Sequence, residues 1–556
     1  MKIAIAQLNY RIADFEGNLS LMKNAISEAE NQEVDLIVFS ELAVCGYPPL
    51  DLLEQRDFID RCGESIRLLT ACTAKVAVIV GCPVINPNEK GKKLFNAAYL
   101  LADQKIIAIR YKTLLPTYDI FDEYRYFEPN IEFDVVAFKG LKIALTICED
   151  IWDDQPVENA FSRTRLYTVS PMDFLARMNP DIMINISASP FAANRINARE
   201  EVLRQNVIKY GIPLFYCNQV GANTDLIFDG SSMVLYADGM IADRFSPFAQ
   251  EVRSYVVESL MNPPDTREPA PENNVGEENR VEMMHKALVF GIQDYFRKMG
   301  FKRAVLGLSG GMDSALTLVL AVEALGPENI VPVLMPSKFS SDHSVTDSIQ
   351  LAKNLGVDWR CLPIDPMMES FLNQLTPEFG GLPEDVTEEN LQARIRGVVL
   401  MALANKLNMI LLNTSNKSEA AVGYATLYGD MNGGLSVLGD VYKTDVYAIA
   451  RYINLDREII PYNIYTKAPS AELRQGQKDS DSLPEYDVLD PILYHYIEMK
   501  EPIGIIVSHG FQKEVVEKVI SLVNRSEYKR FQSPPILRIS SKAFGLGRRM
   551  PIVALY

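Results

Sequence analysis

Short apolar runs alternate with longer amphipathic stretches along almost the whole chain. Residues 34–40 (VDLIVFS), 141–147 (LKIALTI) and 304–308 (AVLGL) are apolar runs of strand length, whereas residues 315–325 have the spacing of a core-facing helix. Alternation of the two periods predicts layers of helices and strands rather than an all-β or an all-α fold. The predicted fold class is therefore α/β.

The pattern breaks clearly at residues 261–280 (MNPPDTREPAPENNVGEENR). This segment is rich in Pro, Glu and Asn and too poor in apolar residues to bury a core of its own. A chain of 556 residues is also too long for a single hydrophobic core. We therefore predict two domains, residues 1–258 and residues 281–556, joined by a linker over residues 259–280.

Composition and charge mainly show which classes of protein this chain does not resemble. The chain has 55 Lys and Arg against 72 Asp and Glu, and the net charge of −17 argues against general nucleic-acid binding. No apolar run approaches the length of a membrane span, and the start MKIAIAQLNY lacks a signal-peptide pattern. The seven cysteines form no C-x-x-C pair, which is typical of a reducing compartment. We expect a cytoplasmic protein that binds neither nucleic acid nor membrane. We also expect a homo-oligomer.

Three apolar runs in the first half each lead to one reactive side chain, namely Glu41, Lys112 and Cys148. Functional groups gather beyond the carboxyl ends of strands in α/β sheets, so residues far apart in sequence can converge there. Cys148 would be the nucleophile, with its thiolate favoured by Lys112 and by a helix that starts near Glu149. Glu41 would be the general base, and Lys112 would stabilise the oxyanion. All four histidines lie beyond the linker, which excludes a Cys–His pair within this half.

The segments around these residues, SELAVCGYPPLDLL, YKTLLPTYDIFDEYRYFEP and LTICEDIW, resemble the signature segments of the nitrilase superfamily. The resemblance covers most of residues 1–255 and implies a four-layer αββα sandwich. It also implies that Glu41, Lys112 and Cys148 form the catalytic triad and that Glu123 positions the lysine. Taken one at a time, a core cysteine and a solvated Glu or Lys are the alternatives.

Binding of a glutamine-sized substrate is predicted for residues near the triad. Tyr118 lies close to Lys112 in sequence and would line the pocket, although a core aromatic residue would show the same pattern. Ser189 and Arg195 follow a strand-like run over residues 181–187 and would bind the amino-acid end of the substrate. Arginine suits a carboxylate because its guanidinium makes bidentate contacts.

The second half contains a loop of special composition, residues 309–314 (SGGMDS), between an apolar run and a helical pattern. A strand, a Gly-Gly turn and a helix start leave backbone N–H groups pointing at one spot, where the helix N-terminus adds partial positive charge. Such a pocket binds phosphate, and the string lacks the Gly-Lys-Ser/Thr ending of a Walker A loop. An ordinary glycine-rich connection is the alternative for Ser-Gly-Gly alone.

Acidic residues near this loop indicate a metal ion. Asp313 lies within the loop, and Glu419 follows the apolar run of residues 409–412. A carboxylate near a phosphate is unfavourable without a cation between them, so the pair indicates Mg²⁺. Alone, Glu419 would be a helix-start charge that complements the helix dipole.

The complete SGGMDS string resembles the pyrophosphate loop of the ATP pyrophosphatases, which cleave ATP to AMP and pyrophosphate. With NLQARIRG, NTSNKSEAAVGYATLYGD, VYKTDVY, PSAELR and the EYKRFQ tail it resembles the NAD synthetases over nearly all of residues 281–556. The resemblance implies a Rossmann-like, doubly wound parallel sheet of the adenine nucleotide alpha hydrolase type. It assigns Ser309, Gly310, Gly311, Met312, Asp313, Ser314, Thr414 and Lys443 to ATP, Asp313 and Glu419 to Mg²⁺, and Arg394 and Lys529 to deamido-NAD⁺. The segment after Asp430 reads MNGGLS and is longer than in ammonia-only synthetases, so the resemblance leaves the acidic contact to deamido-NAD⁺ unassigned and Asp430 is only a candidate for it.

The two resemblances together imply a glutamine-fed ligase. The first domain would release ammonia from glutamine through a thioester on Cys148. The second would adenylate the nicotinate carboxyl of deamido-NAD⁺ with Mg-ATP, after which ammonia displaces AMP to give NAD⁺. Two alternatives stay open at this point. One is amidation of another carboxyl by the same parts, and the other is an ammonia-only synthetase whose first domain is a non-catalytic scaffold.

Overall fold

The computed structural model describes residues 1–153, 156–158, 163–194, 196–261 and 277–554. The chain divides into two compact units, Met1–Asn274 and Val275–Tyr556. Helices extend into the predicted linker from both sides: one ends at Met261 and the next begins at Glu277. The domain boundaries at residues 258 and 281 stay predictions.

Two sheets form the centre of the first unit. Its strands are, in chain order, β1 Lys2–Gln7, β2 Leu36–Val38, β3 Ala77–Ile85, β4 Leu94–Ala102, β5 Lys105–Tyr111, β6 Val136–Phe138, β7 Leu141–Ile147, β8 Pro156–Glu158, β9 Arg163–Arg165, β10 Ile182–Ser187, β11 Leu214–Asn218, β12 Val220–Asn223, β13 Leu226–Asp229, β14 Met233–Leu235, β15 Ile241–Arg244 and β16 Glu251–Val256. The sheet orders are β16-β1-β2-β3-β4-β5 and β15-β14-β11-β10-β7-β6, each six-stranded. The remaining four strands pair as β8-β9 and β12-β13.

Four of the described helices of the first unit pack on the outer faces of the two sheets, and the short last helix packs against the core between the sheets. They are α1 Phe15–Asn31, α2 Arg56–Thr70, α3 Pro171–Ala176, α4 Ile196–Tyr210 and α5 Val257–Met261, with 3₁₀ turns at Leu50–Glu54, Glu123–Arg125 and Cys148–Ile151. Side chains alternate between the two faces of a strand. In β1, Ile3 and Ile5 therefore join the core between the sheets, whereas Ala4 and Ala6 join the core beneath α1 and α2. A third core lies between the second sheet and α3 and α4. The predicted αββα sandwich is confirmed.

One five-stranded sheet organises the second unit. Its strands are β17 Ala304–Gly307, β18 Ile330–Leu334, β19 Arg360–Cys361, β20 Ile410–Asn413 and β21 Leu435–Ser436. The helices are α6 Glu277–Met299, α7 Met312–Leu325, α8 Asp342–Leu355, α9 Asp365–Leu375, α10 Val386–Leu407, α11 Lys417–Val422, α12 Lys443–Ile453, α13 Tyr462–Thr466, α14 Tyr486–Ile497, α15 Ile503–Ser508, α16 Lys513–Arg525 and α17 Glu527–Arg530, with 3₁₀ turns at Pro327–Asn329 and Asp479–Asp481.

The order of this sheet determines where a ligand can bind. All five strands run parallel in the order β19-β18-β17-β20-β21. The chain moves outward from β17 to β19 and then returns to β20 on the other side, so the order reverses between β17 and β20. Ligands of doubly wound sheets bind beyond the strand ends at such a switch point. The predicted fold of this half is confirmed as well.

Among the residues that the structure describes, no helix combines the length and the apolar character that crossing a membrane requires.

Candidate active sites

Glu41, Lys112 and Cys148 converge in the first unit. Lys112 directly follows β5 and Cys148 directly follows β7, while Glu41 lies shortly after β2. Nζ of Lys112 donates to Oε1 of Glu41 at 2.8 Å, and neither side chain is exposed to solvent. The thiol of Cys148 is buried and interacts electrostatically with both groups. The three strand ends thus bring a thiol, a carboxylate and an ammonium group together, as the predicted triad requires.

Lys112 sits between two buried carboxylates. Its Nζ also donates to Oε1 of Glu123 at 2.9 Å, and the Tyr47 hydroxyl donates to the same oxygen at 2.9 Å. Burial alone would lower the pKa of Lys112, but the carboxylates of Glu123 and Glu41 raise that pKa well above its ordinary value. Burial raises the pKa of Glu123 to about 7, against the opposing effect of Lys112. Lys112 therefore stays an ammonium ion, and Glu123 lies where a positioning residue would.

Two further donors hold the carboxylate of Glu41. Nδ2 of Asn96 donates to Oε1 at 2.7 Å, and the backbone N–H of Ala188 donates to Oε2 at 3.1 Å. Sequence reasoning missed Asn96, although one polar residue inside the apolar run of β4 (LFNAAYLLA) was a usable signal. The base is fixed in place before any substrate arrives.

The surroundings of Cys148 raise the pKa of its thiol. Burial, and then the charge of Glu41, raise the pKa of its thiol well above the ordinary value, and Lys112 only partly offsets them. The helix that follows is a 3₁₀ turn of four residues, Cys148–Ile151, rather than a long helix with a strong dipole. The predicted support of the thiolate by Lys112 is present, but burial and the charge of Glu41 outweigh it. Activation needs a base at the moment of attack, which agrees with the predicted part of Glu41.

A buried carboxylate, Asp150, connects two arms of the site. Its Oδ1 accepts the backbone N–H groups of Thr113 and Leu114, each at 2.9 Å, and its Oδ2 accepts that of Ile147 at 3.1 Å. These bonds join the segment after Lys112 to the end of β7. The sequence did not reveal this role of Asp150, because Thr113 and Leu114 lie far from it along the chain.

The predicted pocket residue Tyr118 faces a second buried carboxylate. The Tyr118 and Tyr167 hydroxyls both donate to Oε1 of Glu149 at 2.8 Å. Burial raises the pKa of Glu149, while these two hydrogen bonds and the charge of Lys112 oppose that rise. Tyr118 thus lies beside the residue that follows the nucleophile.

Ser189 lies next to the triad as well. It follows Ala188, whose backbone N–H holds Glu41. Arg195 lies outside the described residues.

In the second unit, a cavity of about 270 Å³ lies beyond the carboxyl ends of β17 and β20. Its position is that of the switch point in the sheet. Its lining includes most of the predicted ligands of ATP and Mg²⁺ and one predicted dinucleotide contact: Ser309, Gly311, Met312, Asp313, Ser314, Thr414, Glu419, Asp430 and Lys443. The lining residues come from distant parts of the chain, and parallel pairing brings them together.

The loop after β17 is held by hydrogen bonds among its own residues. Its hydroxyls satisfy its own backbone, since Oγ of Ser309 accepts the N–H of Gly311 at 3.2 Å and Oγ of Ser314 accepts that of Ser309 at 3.2 Å. Gly310 has a φ of +79°, and a Cβ there would lie 2.4 Å from the carbonyl oxygen of Ser344. Helix α7 starts at Met312 with further N–H groups directed out of its first turn.

Gly310→Ala is expected to damage the loop far more than Gly311→Ala. A side chain at position 310 costs about 1–2 kcal/mol for the left-handed backbone alone, and the clash with Ser344 displaces the loop further. At position 311, φ is −92° and the added methyl group meets only the Ser309 hydroxyl at 3.3 Å. We expect at least about a tenfold greater loss of ATP-dependent activity for the first variant. Equal steady-state rates for the two variants would contradict this view of the loop.

Two carboxylates share one lysine in the cavity. Nζ of Lys443 pairs with Asp313 and lies 3.9 Å from Oε1 of Glu419. Burial, and then the charge of Asp313, raise the pKa of Glu419 well above its ordinary value, although Lys443 opposes them. Nδ2 of Asn416 donates to Asp313 at 2.9 Å. Hard oxygen ligands with too little positive charge around them fit a magnesium ion.

Of the three predicted dinucleotide contacts, one lines the cavity and two do not. Asp430 lines the cavity, and burial raises its pKa to about 6. Nζ of Lys529 donates to the carbonyl oxygens of Gly423 and Ala425 at 2.8 and 2.7 Å, so it stabilises a loop. Arg394 is exposed on α10 and is absent from the cavity lining. The roles of all three stay predictions.

Arg396, two positions along the same helix, does line the cavity. Its Nε donates to the carbonyl oxygen of Met335 at 3.1 Å. Positions i and i+2 of a helix do not share a face. The NLQARIRG segment therefore contained the right kind of residue, but its sequence alone did not show which arginine points inward.

Lys467 is a second cation of the cavity that sequence reasoning did not name. It lies in the segment leading to PSAELR, and its Nζ forms an ion pair of 2.5 Å with Glu472. The same Nζ contacts Ser344. With Arg396 and Lys443, the lining offers three cationic side chains to an anionic ligand.

Comparison with known proteins covers both units. Residues 2–258 match the carbon–nitrogen hydrolase family, and residues 284–533 match the NAD synthase family. A glutamine-dependent NAD(+) synthetase from Synechocystis sp. is 43% identical over 560 residues, which cover 100% of this chain and 99% of that protein. One from Thermotoga maritima is 41% identical, with 99% and 98% covered. This chain belongs to the glutamine-dependent NAD⁺ synthetases.

Solved structures of glutamine-dependent NAD⁺ synthetases agree with this membership. One from Acinetobacter baumannii, in complex with adenosine diphosphate, is 37% identical with a TM-score of 0.76 and covers 99% of this chain and 98% of that one. One from Cytophaga hutchinsonii has a TM-score of 0.82 at 20% identity, over 100% and 98% of the two chains, and shows the shared fold. The predicted resemblances to the nitrilase superfamily and to the NAD synthetases are both confirmed.

Proposed function

We propose that this chain is a glutamine-hydrolysing NAD⁺ synthase, a ligase that forms a C–N bond. It amidates deamido-NAD⁺ with ammonia from glutamine and releases AMP, pyrophosphate and glutamate. The observation that carries the proposal is the presence of two unlike sites in one chain. One is a buried Glu–Lys–Cys group, and the other is a cavity lined by an ATP-pyrophosphatase loop and paired carboxylates.

Glutamine hydrolysis takes place at the triad. Glu41 accepts the proton of the Cys148 thiol as sulfur attacks the amide carbon of glutamine, and Lys112 stabilises the oxyanion. Ammonia leaves with the proton that Glu41 returns, and a thioester on Cys148 remains. Water then attacks the thioester, with Glu41 again as the base, and glutamate is released.

Glutamine is held beside the nucleophile by Tyr118, Ser189 and Arg195. Glu149, with its carboxylate buried between two phenols, adds a negative charge that suits the ammonium group of the substrate. Arg195 supplies the opposite charge for the substrate carboxylate.

Adenylation takes place in the second unit. The nicotinate carboxylate of deamido-NAD⁺ attacks the α-phosphorus of ATP, the bond to pyrophosphate breaks, and an acyl adenylate forms. Backbone N–H groups and hydroxyls of residues 309–314 hold the pyrophosphate, and Thr414 and Lys443 contact the nucleotide. Ammonia then attacks the acyl carbon, and AMP leaves.

Asp313 and Glu419 would hold Mg²⁺ in this cavity, and the ion, when bound, neutralises charge on the phosphates. Asp430 and Arg396 line the space for the dinucleotide, and Arg394 and Lys529 complete its predicted contacts. We place the enzyme in the cytoplasm, because all seven cysteines are free thiols. It acts as a homo-oligomer.

Glu41→Gln is expected to reduce glutamine-driven synthesis by about 10²–10⁴-fold, the usual contribution of a general base. The variant keeps the size of the side chain and one acceptor oxygen, but it cannot accept the thiol proton, and its NH2 group cannot replace the second oxygen as an acceptor. Steady-state rates with glutamine and with ammonium measure the effect, and the ammonium-driven rate is expected to stay the same. Glu64→Gln on the surface of α2 is the control. A glutamine-driven rate equal to that of the wild type would exclude Glu41 as the base.

The proposed reaction is tested by its products. The chain is incubated with deamido-NAD⁺, Mg-ATP and glutamine, and NAD⁺, AMP, pyrophosphate and glutamate are quantified. We expect equal amounts of NAD⁺, AMP and pyrophosphate. ADP and phosphate in place of AMP and pyrophosphate would contradict cleavage at the α-phosphate. Turnover of another carboxylate but not of deamido-NAD⁺ would contradict the substrate.

A further inference from the structure

Two histidines meet one carboxylate near the end of α14. Nδ1 of His495 lies 3.0 Å from Oε2 of Glu501, and Nε2 of His509 lies 2.9 Å from the same oxygen. One ligand atom from each residue lies within 4.8 Å of the other two. None of the three residues belongs to the described lining of the ATP cavity. The cluster is therefore a feature of its own.

The ends of two helices build this cluster. His495 lies in the last turn of α14, and the backbone N–H of Glu501 donates to its carbonyl oxygen at 3.0 Å, which folds the chain back. His509 caps the end of α15, where its backbone N–H donates to the carbonyl oxygen of Ile506 at 3.2 Å. Backbone hydrogen bonds thus fix the positions from which all three side chains start.

One atom of the cluster lacks a partner. Nδ1 of His495 is buried and has no hydrogen-bond partner among the described residues, although Oε2 of Glu501 lies 3.0 Å away. Nε2 of His509, in contrast, is hydrogen bonded to that oxygen. Buried polar atoms in folded proteins are nearly always bonded to something. The contact of this nitrogen with Glu501 is therefore an ion-pair contact and not a well-aligned hydrogen bond, which leaves the nitrogen available to a cation.

The distances suit a small cation. A tetrahedral zinc ion with bonds of about 2.0–2.1 Å needs ligand atoms roughly 3.3 Å apart. The two imidazole nitrogens lie 3.0 and 2.9 Å from the carboxylate oxygen, which is only slightly closer. The imidazole rings stack with centroids 4.3 Å apart and planes 22° apart, so one ring has to turn before both nitrogens face an ion. His509, with 40% of its side chain exposed, has the room to turn.

We propose that His495, Glu501 and His509 form a Zn²⁺ site that joins the end of α14 to the end of α15. Two imidazole nitrogens and one carboxylate suit zinc, whereas magnesium prefers oxygen ligands throughout. Three protein ligands on a partly exposed surface leave a coordination position for water. Any proton on the coordinating nitrogens is released on binding. An ion held by the folded state alone stabilises that state.

Zinc binding to the full-length enzyme tests the proposal. The protein, free of any purification tag and washed with a chelator, is titrated with zinc chloride against a chromophoric chelator, and its melting temperature is measured with and without zinc. The test variants are His495→Gln and His509→Gln. His285→Gln is the matched control, because His285 forms a single His–Glu pair, 2.7 Å from Glu323.

The wild type and the control are expected to bind one zinc equivalent that both test variants lack. Losing a ligand lowers affinity by at least about 100-fold, since outer-shell changes alone cost 10- to 100-fold. Zinc raises the melting temperature of the wild type and the control more than that of the variants. Zinc bound by other carboxylates or thiols is the same in the wild type, the control and both variants, so it does not affect the difference between them.

Equal zinc uptake by the wild type and both variants would overturn the proposal and leave a hydrogen-bonded cluster. Ammonium-driven synthesis confirms that each variant is folded, since the cluster lies outside both active sites. His509 is the most exposed of the three residues, so its variant decides the question if His495→Gln does not fold.

Discussion

Cys148→Ala is expected to abolish glutamine-driven NAD⁺ synthesis and to leave ammonium-driven synthesis intact. Removing the nucleophile of a covalent mechanism costs on the order of 10⁶-fold in rate, because no other side chain in the triad can form the thioester. Ammonium bypasses the thioester, so the second unit still receives its nucleophile. Steady-state NAD⁺ formation with each nitrogen source separates the two activities.

A second cysteine of the same unit provides the control. Cys72, half-buried after α2, donates from its thiol to the backbone of its own helix and lies outside the triad. Cys72→Ala is expected to keep both activities. Loss of ammonium-driven synthesis in the Cys148 variant would show that the alanine damages more than glutamine hydrolysis. Retention of the glutamine-driven rate would remove Cys148 from the mechanism.

Asp313→Asn is expected to abolish synthesis from both nitrogen sources, by about 10²–10³-fold or more. The carboxylate of Asp313 is the ion-pair partner of Lys443 and the neighbour that raises the pKa of Glu419. Its removal takes away half of the predicted Mg²⁺ ligands and releases Lys443 from its position. The loss should appear in NAD⁺ formation with glutamine and with ammonium alike.

Asp342→Asn is the matched control for this change. Asp342 is an exposed acid in the first turn of α8 and is absent from the cavity lining, so its neutralisation should leave both rates unchanged. If Asp313→Asn reduced only the glutamine-driven rate, the cavity would not be the site of adenylation. If the Mg²⁺ dependence of the remaining activity were unaltered, Asp313 would not be a metal ligand.

The strand ends are what made the first site predictable. The run of residues 141–147 coincides with β7, and the reactive residue follows it at once, because the strand ends with the apolar run and a 3₁₀ turn begins at Cys148. The pKa of Cys148 was not predictable in the same way. It depends on how deeply the thiol is buried and on how close Glu41 lies, and both are properties of tertiary packing.

The cavity of the second unit was also only partly predictable from the sequence. The loop over residues 309–314 could be placed because strand, glycines and helix start follow one another locally. Arg396 was not named from the sequence, because only the packing of α10 shows which of its residues line the cavity. Asn96 and Asp150 were missed because their partners are backbone and side-chain groups that only the folded chain brings near.

The carboxamide nitrogen of NAD⁺ is expected to come from the amide of glutamine, and isotope labelling follows this nitrogen from substrate to product. The full-length enzyme is given deamido-NAD⁺, Mg-ATP and glutamine labelled with ¹⁵N at the amide, and the product is analysed by mass spectrometry. We expect NAD⁺ whose carboxamide nitrogen carries the label, formed together with AMP. NAD⁺ without the label, or consumption of labelled glutamine with no NAD⁺ formed, would contradict the account.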